Sequence, residues 1–434
     1  MNSDARVGGE ARPGWLPWAV LVVFLTAYVF SFIDRMILGL MVEPLKRDLQ
    51  LSDTQVSLLQ GLAFAVFYTL VGLPIGRAID RVHRPRIAAL GIALWSAMTA
   101  LSGLAQSYAQ LLLARIGVGV GEATLSPAAY SLFADLFDRQ RLGVALGIYN
   151  VGTSVGAGIA MMLGGAIVQF SSGQQPIALP LVGDIRPWQL TFLYVGLPGL
   201  LVAALMLLLP EAGGRAARRQ PAANLPLRDV LEFAWRRRAV LGTHHLGVAF
   251  SNLAAFAIVS WTPVMLVRVH GWKIAEAGLA VGVALLIGGL VGLAGGGWLS
   301  DRFYGREGTR GRMRLCLYAS LAGIPAAACF ALQSTPLAAT ALFAVAYLLA
   351  ILPVSSAGAA LQELVPERMR GQLSAFYLFV VNLIGIGLGS TAVAVLSDFV
   401  FRSPGGIRYS LAIVAPVGLA LAAAGYLGSL AAAR

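Results

Sequence analysis

The chain has 434 residues, 58% of them hydrophobic and only 12% charged, with fifty glycines and a net charge of +12. A soluble chain of this size needs far more charge to cover its surface, so the composition excludes an ordinary soluble domain and indicates a membrane protein. The basic residues stand in short clusters between apolar runs, as loops of a membrane protein do, which excludes a nucleic-acid partner as the reason for the positive charge.

The opening stretch "MNSDARVGGEARPGWLPW" lacks the basic start and small-residue cleavage site of a removable leader. It reads as a polar tail running into a retained helix. A bilayer core about 30 Å thick needs about 20 apolar residues at about 1.5 Å of rise each. That ruler gives twelve spans, at 16–42, 54–79, 86–105, 108–134, 142–170, 188–209, 239–266, 274–299, 313–333, 337–362, 371–399 and 407–431. With the first residue inside, segments on that side hold 23 Lys and Arg against 7 on the other, which places both termini in the cytoplasm. The longest polar interruption, 211–238, separates a six-helix bundle over 1–210 from a second over 239–434. Its "LRDVLEFAW" portion is expected to lie as an amphipathic helix on the inner membrane surface.

The two halves echo each other. "GRAIDRVHRPR" (76–86) between spans two and three matches "GWLSDRFYGR" (297–306) between spans eight and nine, with Asp80 and Asp301 separated by 221 residues. "DRQRLGVALGIY" (138–149) matches "PERMRGQLSAFY" (366–377), with Gly143 and Gly371 separated by 228. Two offsets near half the length indicate a duplicated six-helix unit, the architecture of alternating-access transporters. The Gly-x-x-x-Asp-Arg loop resembles the signature of the major facilitator superfamily, and the resemblance extends over essentially the whole chain. It implies an all-α membrane protein of twelve helices in two pseudo-symmetric bundles. It also implies a cytoplasmic gate formed by Gly76, Asp80, Arg81 and Arg84 with Gly297, Asp301 and Arg302. His83 departs from the glycine the pattern prefers, whereas Gly305 keeps it.

Charges inside the spans are few. Asp34 and Arg35 lie in the first, Arg115 and Glu122 in the fourth. Each costs about 2.5 to 3.5 kcal/mol or more at mid-membrane, so all four are expected to face protein or a watery cavity. Arg115 and Glu122 are two turns apart and share a helix face. Counting rise puts Glu122 about 20 Å and Asp34 about 15 Å from the outer ends of their helices, at comparable depth. Burial raises and a neighbouring arginine lowers a carboxylate's affinity for its proton, so a proton relay and a static ion-pair cluster are both available to such a group.

The segment "RIGVGVGEATLSPAAYSLFADLFDRQRLGVALGIY" (115–149) is similar to the spinster-like family of the superfamily, as is the first span with Phe32, Asp34 and Arg35. That resemblance implies Asp34, Arg35 and Glu122 as a coupling triad, with Arg115 as the arginine of the fourth-helix motif. It also implies amphipathic lipids, such as sphingolipids or lysophospholipids, as substrates.

The glycine-rich "GVGVGEA" lies within a membrane helix and is no phosphate cradle. The glycines of "GTSVGAG" and "GGLVGLAGGG" suit close helix packing. Cys316 and Cys329 offer neither metal spacing nor a disulfide framework and read as core. His244 and His245 are expected near the inner interface. Asn252, Trp261, Tyr377 and Asn382 are expected to line a cavity with Arg35 and Glu122. No catalytic constellation, cofactor motif or metal site stands out, so no enzyme is expected. The expected function is proton-coupled transport of a small amphipathic substrate by a monomer, surrounded by lipid, in a bacterial inner membrane. A small-anion or drug transporter on the same scaffold, and a non-transporting sensor, stay open as alternatives.

Overall fold

The computed structural model describes residues 14–79, 82–175, 177–179, 183–211 and 227–433. Helices dominate, because a chain in lipid must satisfy every backbone polar group within its own segment. Among the described residues, eleven helices are long and apolar enough to cross a membrane. The remaining span, fourth in order, is split into Tyr108–Glu122 and Leu125–Leu136, which is why neither piece meets that length. Pro127 causes part of the interruption, since it has no N–H to give the carbonyl four residues earlier. At the joint, the amides of Ala123 and Thr124 bond to Gly119 and Gly121 at a stretched 3.3 Å. The break follows directly after Glu122.

The packing repeats with the sequence. The third span, Arg84–Ser102, packs on the sixth, Pro187–Leu207, as the ninth, Thr309–Cys329, packs on the twelfth, Ile407–Ala432. Between the bundles, the fifth span, Arg139–Ser172, crosses the eighth, Ile274–Glu307, and the eleventh crosses the second, while the first, Leu16–Leu40, meets the seventh, Arg238–His270. A two-fold that carries each span six places on exchanges the first two of these crossings. Glycine sets the closeness of both. A Cβ on Gly158 would lie 2.8 Å from the Gly282 carbonyl, and one on Gly61 would lie 2.5 Å from the Ile386 carbonyl.

Three features differ from the sequence reading. The second span contains a π-helical turn, Leu58–Leu62, and the eleventh contains two, Leu383–Leu388 and Leu396–Phe401. Two of these turns meet where Gly61 crosses Ile386, and each widened turn offsets the helix phase to admit the close approach. The all-α expectation also misses a small antiparallel hairpin between spans five and six, pairing Ile177 with Ile185 and Leu179 with Gly183. Cys316 is buried as expected, but Cys329 is exposed, because it falls in the last turn of its helix on an outward face.

The linker helix, Leu227–Arg236, is amphipathic as read. Val230 is buried against the protein, while Leu231 and Trp235, one turn apart, are 60% and 69% exposed. This leaves an apolar edge for the membrane surface.

Candidate functional site

The four intramembrane charges meet. Asp34 is 2% exposed, Arg115 0% and Glu122 2%. Arg35 Nε donates to Glu122 Oε2 at 2.6 Å, and its Nη2 lies 2.5 Å from the same oxygen. Ser31, one turn before Arg35 on the same face, donates its hydroxyl to that oxygen at 2.7 Å. The Arg35 guanidinium sits over the rings of Phe64 at 4.5 Å, Tyr68 at 5.2 Å and Phe32 at 5.4 Å, an arrangement that supports a cation with little water. The side chain of Arg35 retains 15% exposure. Among the described residues Glu122 Oε1 has no hydrogen-bond partner, and the carboxylate is held through its other oxygen.

Arg115 and Asp34 are coupled less directly. Arg115 Nη1 donates to the backbone carbonyl of Asp34 at 3.3 Å, and its Nε and Nη2 have no hydrogen-bond partner among the described residues. Asp34 Oδ1 has none either. The cluster therefore contains one made ion pair and a second acid and base that keep buried polar atoms without a partner among the described residues. Alongside it, Tyr28 stacks on Tyr149 at 4.7 Å, and Tyr130, 41% exposed, donates to Asn150 Oδ1 at 2.7 Å. Of this surround, Phe64, Tyr68 and Ser31 are absent from the sequence reading. Their signal is helical spacing, with Ser31 and Phe32 one turn before Arg35 and Phe64 one turn before Tyr68.

The C-terminal half has no counterpart of this cluster. At an offset of 228 from Arg115 and Glu122 stand Phe343 and Ala350. Of the neutral residues expected to line a cavity, Trp261 is fully buried and donates its indole N–H to the Ser390 carbonyl at 2.8 Å, joining spans seven and eleven. Asn252 donates to Val248 of its own helix at 3.2 Å. Asn382 is part-buried and immediately precedes the first π turn of span eleven. Tyr377 is 8% exposed and packs edge-on to His245, with ring centroids 5.4 Å apart. His244 and His245 are buried rather than interfacial, because span seven begins at Arg238 and carries them inward against spans ten and eleven. His244 Nε2 lies 3.1 Å from the Ala357 carbonyl.

Of the expected gate, Asp80 and Arg81 lie outside the described residues, and Gly76 stands in the last turn of Ala63–Ala78. Arg84 is 3% exposed and holds three helix ends together. It contacts Asp135 Oδ2 at 2.6 Å and Glu211 Oε1 at 2.7 Å, and donates to Ser131 at 3.1 Å. In the second half, Gly297 has open space where a Cβ would stand, and Arg302 is exposed with its guanidinium 5.7 Å from the Trp298 ring. Asp301 contacts Arg312 at 3.2 Å, and Arg312 also reaches Glu363 at 3.1 Å. Arg84 to Arg312 and Asp135 to Glu363 are both steps of 228, so the two ion pairs are copies of one another.

At the opposite face, charges join the halves. Arg268, at the end of span seven, forks onto Asp53 at 2.8 and 2.8 Å and reaches Glu43 at 2.5 Å. Asp398, at the end of span eleven, accepts from the amide and hydroxyl of Thr54 at 2.7 Å each and from the Asp53 amide at 3.3 Å. The second span is thus capped by a carboxylate from the other half.

Residues 24–390 match the family pattern of the Major Facilitator Superfamily. A protein described as an MFS-type efflux pump from Mycolicibacterium smegmatis (strain ATCC 700084 / mc(2)155) is 29% identical over 88% of this chain and 84% of its own. The Hexuronate transporter of Bacillus subtilis (strain 168) is 28% identical over 85% of each. Among solved structures, a bacterial homolog to the human lysosomal transporter Spinster, in an inward-facing and unoccupied conformation, covers 97% of this chain and 96% of that one with 27% identity and a TM-score of 0.75. Twelve spans in two repeated bundles, a family match over most of the length and this spinster-like likeness agree: the chain is a multi-pass membrane transporter, not an enzyme, and belongs to the Major Facilitator Superfamily.

Proposed function

We propose that the protein is a proton-coupled secondary transporter of an amphipathic, lipid-like substrate carrying an anionic or polar head, working by alternating access with its basic face in the cytoplasm of a bacterial cell. The observation that supports this most is the buried Arg35–Glu122 pair inside its box of aromatic rings. Protonating Glu122 removes the charge that holds Arg35, and a freed guanidinium recruits an anionic headgroup in its place. Asp34 and Arg115 provide a second proton-accepting group and a second cation beside the first. The substrate tail would lie on the aromatic surface around Tyr28, Tyr68 and Tyr130. Moving one proton changes the local charge and biases the two arrangements of the bundles, the physical requirement for coupling.

Flux into proteoliposomes under an imposed pH gradient tests this reading. Glu122→Gln is expected to lower gradient-driven flux by about tenfold or more while leaving exchange at zero gradient measurable, as fits loss of a proton step alone. Gradient dependence that survives in both Glu122→Gln and Asp34→Asn removes these residues from coupling. A second reading, transport of small organic anions or drugs, is favoured by the names of the efflux and hexuronate relatives. Competition between a lysophospholipid and a hexuronate for the same flux separates the two.

A further inference from the structure

On the basic face of the C-terminal half, the ends of five helices surround a cavity of about 470 Å³ lined by Arg236, Arg237, Thr309, Arg310, Met313 and Leu364 among others. Among the described residues, no acidic side chain lines it. Spans seven and nine contribute N-terminal ends, and the linker helix and spans ten and twelve contribute C-terminal ends, so the backbone dipoles supply no net positive field and the arginines set the sign of the site.

Neighbouring arginines are already paired. Arg312 contacts Asp301 and Glu363, Arg314 contacts Glu307, and Arg236 contacts Glu232 along its own helix. Arg237 and Arg310 make no ion pair among the described residues, and Arg310 Nε is buried without a hydrogen-bond acceptor. A buried guanidinium N–H without an acceptor is costly, and a planar guanidinium is shaped to hold two oxygens of a phosphate.

The level of the cavity indicates the source of that phosphate. Trp235 is 69% exposed and lies under the Arg238 guanidinium at 4.9 Å, the pairing expected where headgroups meet the apolar core. Val240, Met313 and Ala432 give the cavity an apolar wall, which suits the glycerol end of a lipid better than a free ion. We infer that this cavity binds the phosphate headgroup of an anionic phospholipid from the leaflet at the basic face, with Arg237 and Arg310 clamping the phosphate.

Native mass spectrometry of the full-length protein in detergent, with phosphatidylglycerol, phosphatidylcholine or inorganic phosphate added, tests the assignment. Phosphatidylglycerol adducts are expected to exceed phosphatidylcholine adducts by about tenfold, and to fall to the phosphatidylcholine level in the Arg237→Ala, Arg310→Ala double variant. Arg306→Ala, an exposed arginine outside the cavity, is expected to keep them. The wild-type protein gives a reading that needs no variant: its melting temperature is expected to rise with phosphatidylglycerol and not with phosphatidylcholine. Equal binding of the two lipids, adducts retained in the double variant, or equal loss in Arg306→Ala overturns the inference. Displacement of the lipid by inorganic phosphate at equal concentration also overturns it, and marks a free-anion site instead.

Discussion

Arg84 and Arg268 are both nearly buried arginines at helix ends, each held by two carboxylates, yet they do opposite work. Arg84, at the basic face, binds Asp135 of its own half and Glu211 at the start of the linker, and its copy Arg312 binds Asp301 and Glu363 of the other half. Arg268, at the opposite face, binds Glu43 and Asp53 across the divide, and Asp398 caps the second span from the same side. The pairs that repeat with the duplication travel inside a rigid bundle. The pairs that cross it have no copy, and they must break whenever the opposite face opens. Repetition thus separates scaffold from latch.

The largest effect is expected where the scaffold is most buried. Removing one partner of a buried pair leaves the other charge uncompensated and costs about 3 to 5 kcal/mol. Arg84→Ala strands Asp135, whose side chain is 4% exposed, so the apparent melting temperature in detergent should fall sharply. The balance between conformations should stay unchanged, because Asp135 and Ser131, which hold Arg84, lie in its own half. A variant that melts normally but shifts that balance would place Arg84 in the latch.

The latch should respond the other way. Asp53→Asn removes the fork from Arg268, and charged hydrogen bonds of this kind contribute about 1.5 to 3 kcal/mol. That converts to a shift of about tenfold to a hundredfold toward an open opposite face. Distances between spin labels on Gln50 and Lys273, exposed residues on the two sides of the divide, report the shift. An unchanged distance distribution would show that glycine packing at Gly61 and Gly158, rather than charge, holds that face closed.

The sequence discloses these regions unequally, for physical reasons. Twelve spans, two halves and the four intramembrane charges are legible because lipid fixes helix length and makes buried charge conspicuous. The copied pair is half-legible, since the 228-residue step that aligns Gly143 with Gly371 also carries Arg84 to Arg312 and Asp135 to Glu363. The latch is illegible. Its members stand 215 and 344 residues apart, follow no repeat and sit at helix ends, where charges look like solvated surface. The break after Glu122 has a mark in Pro127, which a reading of 108–134 as one span passes over, but the π turns leave no mark in hydropathy, because they arise from the crossing of two helices rather than from either one. Trp261 shows the converse limit, as an aromatic at mid-membrane depth looks the same whether it lines a cavity or joins two helices.

The smallest effect tests whether copying preserves energy as well as geometry. Arg312 is 11% exposed in its side chain, but Asp301 is 79% exposed and Glu363 27%. Water screens such partners, so Arg312→Ala is expected to cost about 1 kcal/mol or less from its ion pairs. Its bond to Ser300 Oγ at 2.6 Å and its place over the Tyr304 ring at 4.5 Å add a little more. The melting temperature of Arg312→Ala should therefore lie between those of wild type and Arg84→Ala, nearer the former. Adding Glu363→Gln should change it hardly at all, since an exposed pair leaves no stranded charge behind. Equal losses for Arg84→Ala and Arg312→Ala would mean that burial does not govern these pairs, and that the two bundles are energetic copies despite their different surroundings.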